Sequence, residues 1–337
     1  MAADLALPTK APPPAPAAPP PLDIHGFVEF DYSSFLINPQ GQALATRGAE
    51  TVVAGLNWTV YKDKAGFINA VSLGGGVALD YANNFNGYWG LYNTNAGGTA
   101  AGITPRNLTA NGALFDAVYF ISGAVTFGQY WTLSDDYYNV HSQDVCGTKA
   151  CADAAGAGLG FGWLNFNQLK LSLNDSFTGW PVTFNPYVTW YYEFPGWDYN
   201  QMPACFSCAT NNGDFLIGIV PTLNLKAWGF PQLTLKAPTY VTVGPSSFWT
   251  NGGCCGVPSS GGVGMFTTGL TGVWSLTWIP ANYGNWYLKG GFQWYDIINS
   301  ALIASNQVSI CGSTAVPCSA GDTKSIFVGF AGLGVGF

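Results

Sequence analysis

The sequence predicts an all-β protein, a transmembrane antiparallel up-and-down β-barrel of about twelve strands. Only 9% of its 337 residues are charged and 15% are aromatic, whereas roughly 25% are charged in a typical soluble domain. No run of about 18 apolar residues is present, so a transmembrane helix is not expected. The chain divides instead into short segments of alternating apolar and polar side chains, as strands between lipid and a polar lumen require.

Twelve strands are predicted from this alternation and from the β-rich composition. Their expected bounds are 24–37, 49–62, 65–81, 113–123, 125–139, 159–174, 182–194, 214–227, 232–244, 264–279, 285–299 and 324–337. The connections alternate between short turns, such as DKAG at 63–66, and long loops, such as 82–112. Short periplasmic turns and long extracellular loops are typical of an outer-membrane barrel, and an even strand number places both termini in the periplasm.

The N-terminal residues differ from the rest of the chain. Residues 1–22 contain eight prolines and have neither the charged nor the apolar region of a signal peptide. We therefore expect them to be the disordered Ala/Pro-rich periplasmic start of a mature protein, with the barrel spanning 23–337.

Four features inside the predicted strands indicate irregularities. Pro186, Pro221 and Pro238 fall within strands, where a missing N–H interrupts the hydrogen-bond ladder, so they are expected at bulges or strand ends. A phase shift between Asn165/Asn167 and Lys170 predicts a further bulge.

The alternation assigns polar and tyrosine side chains to the lumen, because a charge that faces lipid at mid-membrane costs about 2–4 kcal/mol. The predicted lumen-lining residues are Glu29, Asp31, Asp80, Asp116, Lys170, Tyr187, Tyr191, Glu193, Lys226, Lys236, Tyr240, Lys289 and Tyr295. They either pair and fill the barrel or line a polar pathway with a transverse field. Twelve strands enclose a narrower lumen than 16–18-stranded porins do, and the tyrosines favour a narrow channel.

Eight cysteines occur as four close pairs, all in connections predicted to be extracellular. They are Cys146, Cys151, Cys205, Cys208, Cys254, Cys255, Cys311 and Cys318. Their even number favours disulfides in an oxidising compartment. The adjacent Cys254 and Cys255 either pair with each other or bridge to other loops. A metal site is disfavoured because only His25 and His141 are present, and no cofactor is expected.

Neither an enzyme nor a nucleic-acid-binding protein is expected. Ser142 follows His141, but neighbours on a strand face opposite ways. Asp135 and Asp136 are expected where the fifth strand meets its outer loop, as a solvated or calcium-binding rim. The net charge of −7 argues against nucleic acid.

The last strand carries a resemblance. The segment FVGFAGLGVGF at 327–337 ends the chain with Phe337, and Phe327, Ala331, Leu333 and Val335 share its face. It looks like the terminal strand that Gram-negative outer-membrane β-barrel proteins of the porin-like type present to the barrel-assembly machinery.

This resemblance implies an outer-membrane location among phospholipid and lipopolysaccharide, Phe337 as an assembly signal, and passive diffusion of small polar solutes. It identifies no particular porin family. The alternative is a non-conducting surface barrel whose disulfide-stapled loops bind a partner or form a surface layer. A homo-oligomer is left open.

Overall fold

The computed structural model describes residues 22–41, 43–45, 48–82, 114–143, 161–194, 212–249, 261–300, 302–303 and 324–337. Its long strands are β1 (Asp23–Ser33), β2 (Ala49–Lys62), β3 (Ile68–Ala82), β4 (Leu114–Phe127), β5 (Trp131–Gln143), β6 (Phe161–Leu173), β10 (Gly262–Ser275), β11 (Asn285–Ile297) and β12 (Ser325–Gly336). Three further strands have two segments each: β7 (Val182–Thr183 and Tyr187–Phe194), β8 (Asn212–Ile219 and Thr222–Asn224) and β9 (Leu233–Lys236 and Thr239–Gly244).

These twelve strands form a closed antiparallel barrel, which confirms the predicted fold class. Each strand pairs with its neighbours in the sequence, and β12 also pairs with β1. Phe337 extends this last pairing, because it exchanges backbone hydrogen bonds of 2.7 and 2.9 Å with Gly26. Closure leaves the barrel sheet itself without a free edge strand among the described residues.

The two faces of the barrel wall differ in chemistry. The outward face carries exposed apolar side chains, for example Leu56, Ile121 and Phe327, which are 57%, 68% and 62% exposed. Exposed aromatic residues also gather at the short connections, namely Phe67, Trp180, Trp228, Phe230, Trp278 and Tyr283. The inward face carries most of the charged strand residues. No helix among the described residues is long and apolar enough to cross a membrane.

Pro186, Pro221 and Pro238 lie at strand ends, as predicted. Each separates the two segments of its strand, in β7, β8 and β9 respectively. Because a proline offers no N–H, the ladder is interrupted at corresponding positions in three adjacent strands. The prolines still accept hydrogen bonds, as from Leu173 N to Pro186 O at 3.0 Å and from Ala237 N to Pro221 O at 2.8 Å.

The predicted strands 113–123 and 125–139 imply a short turn around Gly123, and this prediction is wrong. β4 continues through Gly123 to Phe127, and the turn to β5 is Gly128–Tyr130. Gly128 and Gln129 have φ of 55° and 71°, and Gln129 N donates to Asn69 Oδ1 at 2.6 Å. A neighbouring side chain thus stabilises a turn in which Gln129, a residue type that rarely adopts positive φ, follows Gly128.

The bulge predicted near Lys170 is also wrong. β6 pairs with β5 and β7 without a register shift, so Lys170 lies on the inward face while Asn165 and Asn167 occupy outward positions. Bulges occur elsewhere, for example between Thr59 and Tyr61.

Several predictions concern residues outside the described part of the chain. All eight cysteines lie there, as do residues 1–21 and most of the long loops. The disulfides and the disordered N-terminal segment therefore stay predictions.

Candidate functional site

The inward face of the barrel is the candidate functional site. Nine of the predicted lumen-lining residues occupy inward positions, opposite the exposed apolar side chains of their strands: Glu29, Asp31, Asp80, Lys170, Tyr187, Tyr191, Tyr240, Lys289 and Tyr295. That they line a path for solutes stays a prediction.

The other four predicted residues are placed differently. The backbone of Asp116 pairs with that of Asp80, and Glu193 follows Tyr191 by two residues, but their side chains lie outside the described part. Lys236 ends the first segment of β9 and is exposed. Lys226 lies in an exposed 3-10 helix, Leu225–Trp228, so its predicted position on a strand is wrong.

A charged cluster crosses the seam where the barrel closes. It consists of Glu29 and Asp31 on β1 and Tyr287 and Lys289 on β11, and we call it the seam cluster. Lys289 Nζ lies 2.8 Å from Asp31 Oδ2 and also donates to Glu29, which accepts a second hydrogen bond from the Tyr287 hydroxyl. All three charged side chains are about one-fifth exposed, so solvent screens this pairing only in part.

Glycines in β12 make the seam cluster possible. β12 lies between β1 and β11, and side chains from both must reach across it. A Cβ on Gly332 would lie 1.9 Å from Asp31 Oδ1, and one on Gly334 would lie 2.3 Å from the Tyr287 ring. The alternating glycines of the closing strand therefore leave the space in which the cluster forms.

A second charged group lies on β5 and β6. Lys170 Nζ is 4.4 Å from the centre of the Tyr187 ring, a cation–π distance, and it interacts electrostatically with Asp136. Asp136 lies within β5 and faces inward, whereas Asp135 faces outward. The prediction that this pair forms a rim at the outer loop is therefore wrong.

Inward aromatic rings continue from this group around the wall. Tyr138 stacks on Phe166 with ring centres 4.7 Å apart, and Phe166 contacts Tyr191 at 4.9 Å. Tyr191 then meets Phe248 edge to face at 5.8 Å. These contacts connect the wall to a loop segment inside the barrel.

Loop segments at the long-loop end fold inward and pack against the wall. Ile37, Phe248, Trp249 and Leu302 come from three different connections. They are buried against Tyr191, Leu216, Tyr240, Met265, Tyr295, Ile297, Ile326 and Val328. We call these twelve residues the inner cluster; all their strand residues belong to β7–β12.

Polar contacts hold these loop segments in place. The Tyr240 hydroxyl donates to Pro39 O at 3.2 Å, and Trp249 Nε1 donates to Gly244 O and Gly262 O at 3.2 and 3.3 Å. Gly41 has φ of 94° and fits where a Cβ would lie 2.7 Å from Met265 Sδ.

The opposite wall carries small side chains. Many inward positions of β2, β3 and β4 carry small residues, which we call the small-residue wall: Gly55, Ser72, Gly74, Gly76, Ala78, Ser122 and Ala124. Phe120 of β4 also faces inward, and its ring lies over Gly76 and contacts Tyr138. None of the inner cluster comes from these strands. Asp80 is the charged residue among the described inward side chains of β3. It accepts a hydrogen bond from Thr51 Oγ1 at 2.5 Å.

Sequence reasoning missed the inner cluster and Asp214. Asp214 of β8, Thr242 of β9 and Thr267 of β10 are fully buried on the inward side of the strands that carry the inner cluster. One signal in the sequence indicated that Asp214 faces inward: it lies two residues before Leu216 on a strand and therefore shares its face. Strand alternation contains no information on where a loop such as 36–41 folds.

The described residues also bear on metal binding and catalysis. Within them, no group of three or more His, Cys, Asp or Glu side chains could hold a metal ion. The His25 Nε2 atom lies 2.6 Å from Asp23 Oδ1 at an exposed strand end, and the His141 side chain lies outside the described part.

Comparisons with known proteins assign no family. No family of known proteins matches the chain, and no curated protein matches it either. Among solved structures, the transport unit of the autotransporter AIDA-I from Escherichia coli is 12% identical, with 93% of this chain and 90% of that chain covered and a TM-score of 0.35.

Two further solved structures align over most of the chain. A variant of OccD1 (OprD) is 13% identical, covers 90% of this chain and 72% of its own, and has a TM-score of 0.29. OccK3 (OpdO) from Pseudomonas aeruginosa is 7% identical, covers 94% and 96%, and has a TM-score of 0.24. These superpositions are loose, so the function is argued from the geometry of this chain alone.

Proposed function

We propose that this protein is a porin-like channel in a bacterial outer membrane, through which small polar solutes diffuse passively. The unequal filling of the inner wall is the observation that supports this function. Large side chains and loop segments pack on β7–β12, while small side chains occupy most inward positions of β3 and several of β2 and β4, where Phe120 is the one inward ring among the described side chains. A narrow polar path therefore runs beside the small-residue wall.

The charges of the inner wall favour cations. The described inward side chains that are not fully buried include four carboxylates within strands (Glu29, Asp31, Asp80 and Asp136) and two lysines (Lys170 and Lys289). The lysines interact with carboxylates in the seam cluster and at Asp136. An excess of carboxylates along a low-dielectric passage raises the local concentration of cations.

Conductance of the purified, folded protein in planar bilayers tests this proposal. We expect discrete current steps, with a reversal potential in a KCl gradient that shows preference for K⁺ over Cl⁻. If protein whose fold has been verified gives no discrete current steps, the channel proposal is overturned. Steps with an anion preference would overturn only the charge argument. Liposome swelling with neutral, cationic and anionic solutes then ranks the permeant molecules.

The location and the assembly of the barrel belong to the same proposal. Exposed apolar residues on the outward face suit contact with phospholipid and lipopolysaccharide. Phe337 is 63% exposed and acts as the signal read by the barrel-assembly machinery, with both termini in the periplasm. Deletion of Phe337 in cells should lower the amount of folded protein in the outer membrane. Unchanged amounts would remove Phe337 from that role.

A second candidate is a non-conducting surface barrel whose loops bind a partner. The inner cluster favours it, because three loop segments already occupy the long-loop end of the lumen. The two candidates separate in the same bilayer experiment, since this barrel would give no current steps. Variants that loosen the inner cluster would then open a conductance that the natural protein lacks.

A further inference from the structure

The outward face of the barrel carries an apolar groove on the side of β6–β10. It has a volume of about 620 Å³, within the range of ligand sites, and its lining includes Leu171, Val188, Ile217, Val241 and Phe266. Each of these five residues pairs with the next one on the neighbouring strand. The groove therefore follows one row of outward positions across five strands.

Two further rows of outward side chains form the edges of the groove. Towards the short turns, the edge residues also belong to the lining and are Leu173, Pro186, Ile219 and Thr239. Towards the long loops, the edge carries larger exposed side chains, namely Leu169, Trp190 and Phe215. The short-turn edge thus coincides with the proline interruption of β7, and both edges are largely apolar.

The groove rises from the short-turn end of the barrel towards its middle. Leu171 lies two residues before the end of β6 at a short turn, whereas Phe266 is the fifth residue of β10 after a long loop. Four strand spacings make the row about 19 Å long. Because barrel strands are inclined by about 40°, the row climbs at least about 12 Å. One leaflet of a bilayer has a hydrocarbon depth of about 15 Å, so the groove matches the reach of one inclined acyl chain.

Polar side chains of the lining are engaged elsewhere in the protein. The Thr239 hydroxyl lies 2.8 Å from Thr268 Oγ1. Tyr187 and Tyr240 also border the groove, but their rings belong to the inward face, and the Tyr240 hydroxyl donates to Pro39 O at 3.2 Å. These groups need no polar ligand, so an apolar occupant suits the groove.

The lower end of the groove opens beside the turn between β6 and β7, residues 174–181. Trp131, Phe177 and Trp180 are exposed there, and such aromatic rings are typical of the headgroup level of a membrane. The turn contains no lysine or arginine, so it offers no ion pair to a headgroup phosphate. The groove rather than a headgroup contact therefore provides the binding.

We propose that the groove binds one acyl chain of a phospholipid. The inference rests on the proposed function, which places the outward face in lipid and the short turns in the periplasm. Because the groove opens at the short-turn end, the lipid comes from the periplasmic leaflet rather than from the lipopolysaccharide leaflet. Between two edges of side chains, the bound chain makes more dispersion contacts than lipid on a convex part of the wall. It therefore exchanges more slowly than the surrounding lipid.

Native mass spectrometry of protein extracted from outer membranes in mild detergent tests this proposal. We expect one retained phospholipid per chain. Ile217→Trp places a larger ring in the groove and should lower the retained fraction about tenfold or more. Leu288→Trp is the matched control, because Leu288 lies outward on β11 and is 43% exposed, as against 52% for Ile217. Heat-modifiable gel migration verifies that each variant is folded.

Three outcomes of this experiment overturn the proposal. They are a natural protein without lipid, equal retention by Ile217→Trp and Leu288→Trp, and a natural protein with two chains and no lipid, in which a second copy would occupy the groove. Conductance is measured separately in planar bilayers. Failure of the channel function therefore appears as missing current steps and does not change the lipid count.

Photo-cross-linking of the natural protein provides an independent readout that needs no variant. The protein is folded into vesicles that contain a phospholipid with a diazirine in the middle of one acyl chain. Peptide mapping should show several-fold more adducts on Val188 and Ile217 than on Leu288. Equal labelling of these outward residues would show that lipid contacts the wall without a preferred site, which overturns the proposal.

Discussion

The inner wall on β2, β3 and β4 carries mostly small side chains, with Phe120 as its one described ring, whereas the wall from β7 to β12 carries large ones that pack against loop segments. Both walls belong to one antiparallel sheet and alternate in the same way, although prolines interrupt β7, β8 and β9. The difference therefore arises from side-chain volume and from the connections, in particular 36–41 and 246–249. Twelve strands limit the size of a lumen, but residue volumes decide which side of it stays open.

The largest effect on conductance is expected when a bulky side chain fills the small-residue wall. Ala78→Trp adds a large ring at an inward position of β3, where we expect single-channel conductance to fall to a small fraction or to zero. The measurement is the size of the current steps in planar bilayers. Ala331→Trp is the matched control, because Ala331 is exposed on the outward face of β12. Equal conductance in both variants would show that the path does not run beside β3.

The reverse change empties the other wall. Trp249 is 2% exposed in the inner cluster, so Trp249→Ala should lower the free energy of unfolding by about 3–5 kcal/mol. It should also enlarge the current steps, because the loop segment loses its largest contact. Urea unfolding monitored by circular dichroism measures the first effect, and planar-bilayer recording the second. Lower stability with unchanged steps would place the inner cluster outside the path.

A smaller effect is expected at the seam between the two walls. A Cβ on Gly334 would meet the Tyr287 ring, so Gly334→Ala should displace that ring and remove its hydrogen bond to Glu29. We expect a loss of about 1–3 kcal/mol in the free energy of unfolding. Gly329→Ala on the same strand is the control, since the nearest atom to its added Cβ is Ser34 Oγ at 4.0 Å. Equal stabilities of the Gly334→Ala and Gly329→Ala variants would contradict the close approach of the Tyr287 ring to Gly334.

The smallest predicted effect concerns charge on the small-residue wall. Asp80→Asn keeps the side-chain volume and can still accept the hydrogen bond from Thr51, so the fold should be retained. The preference for K⁺ over Cl⁻ should fall, which appears as a shift of reversal potential towards zero. Glu50→Gln removes the same charge from an outward, exposed position of β2 and should leave the selectivity unchanged. A shift of equal size in both variants would argue for a rim effect.

Much of this architecture follows from the sequence, because alternation directly encodes which face of a strand meets lipid. The strand number, the closing role of residues 324–337 and the inward positions of Tyr191 and Lys289 could all be predicted in this way. The three proline interruptions could also be predicted, because a missing N–H interrupts the hydrogen-bond ladder at the proline itself.

Other features could not be obtained in the same way. Glycine is common in turns, but Gly123 lies in a regular strand. Its pairing with Leu73 and Asp135 on the two neighbouring strands keeps it there. Asn165 and Asn167 face outward without a bulge, although alternation between lipid and lumen predicts that polar residues face inward. The loop residues Ile37 and Trp249 belong to no alternating pattern, so their burial depends on long-range packing alone.

The contact between Asp31 and Lys289 has a consequence for the order of events in biogenesis. These residues are 258 positions apart, and the strands that carry them come near each other only when β12 lies between them. Their contact therefore marks the moment at which β12 closes the barrel, because it cannot form in an unfinished, open sheet. A cross-link engineered at these two positions would trap completed barrels alone, and its rate of appearance in cells would time the release of each finished molecule.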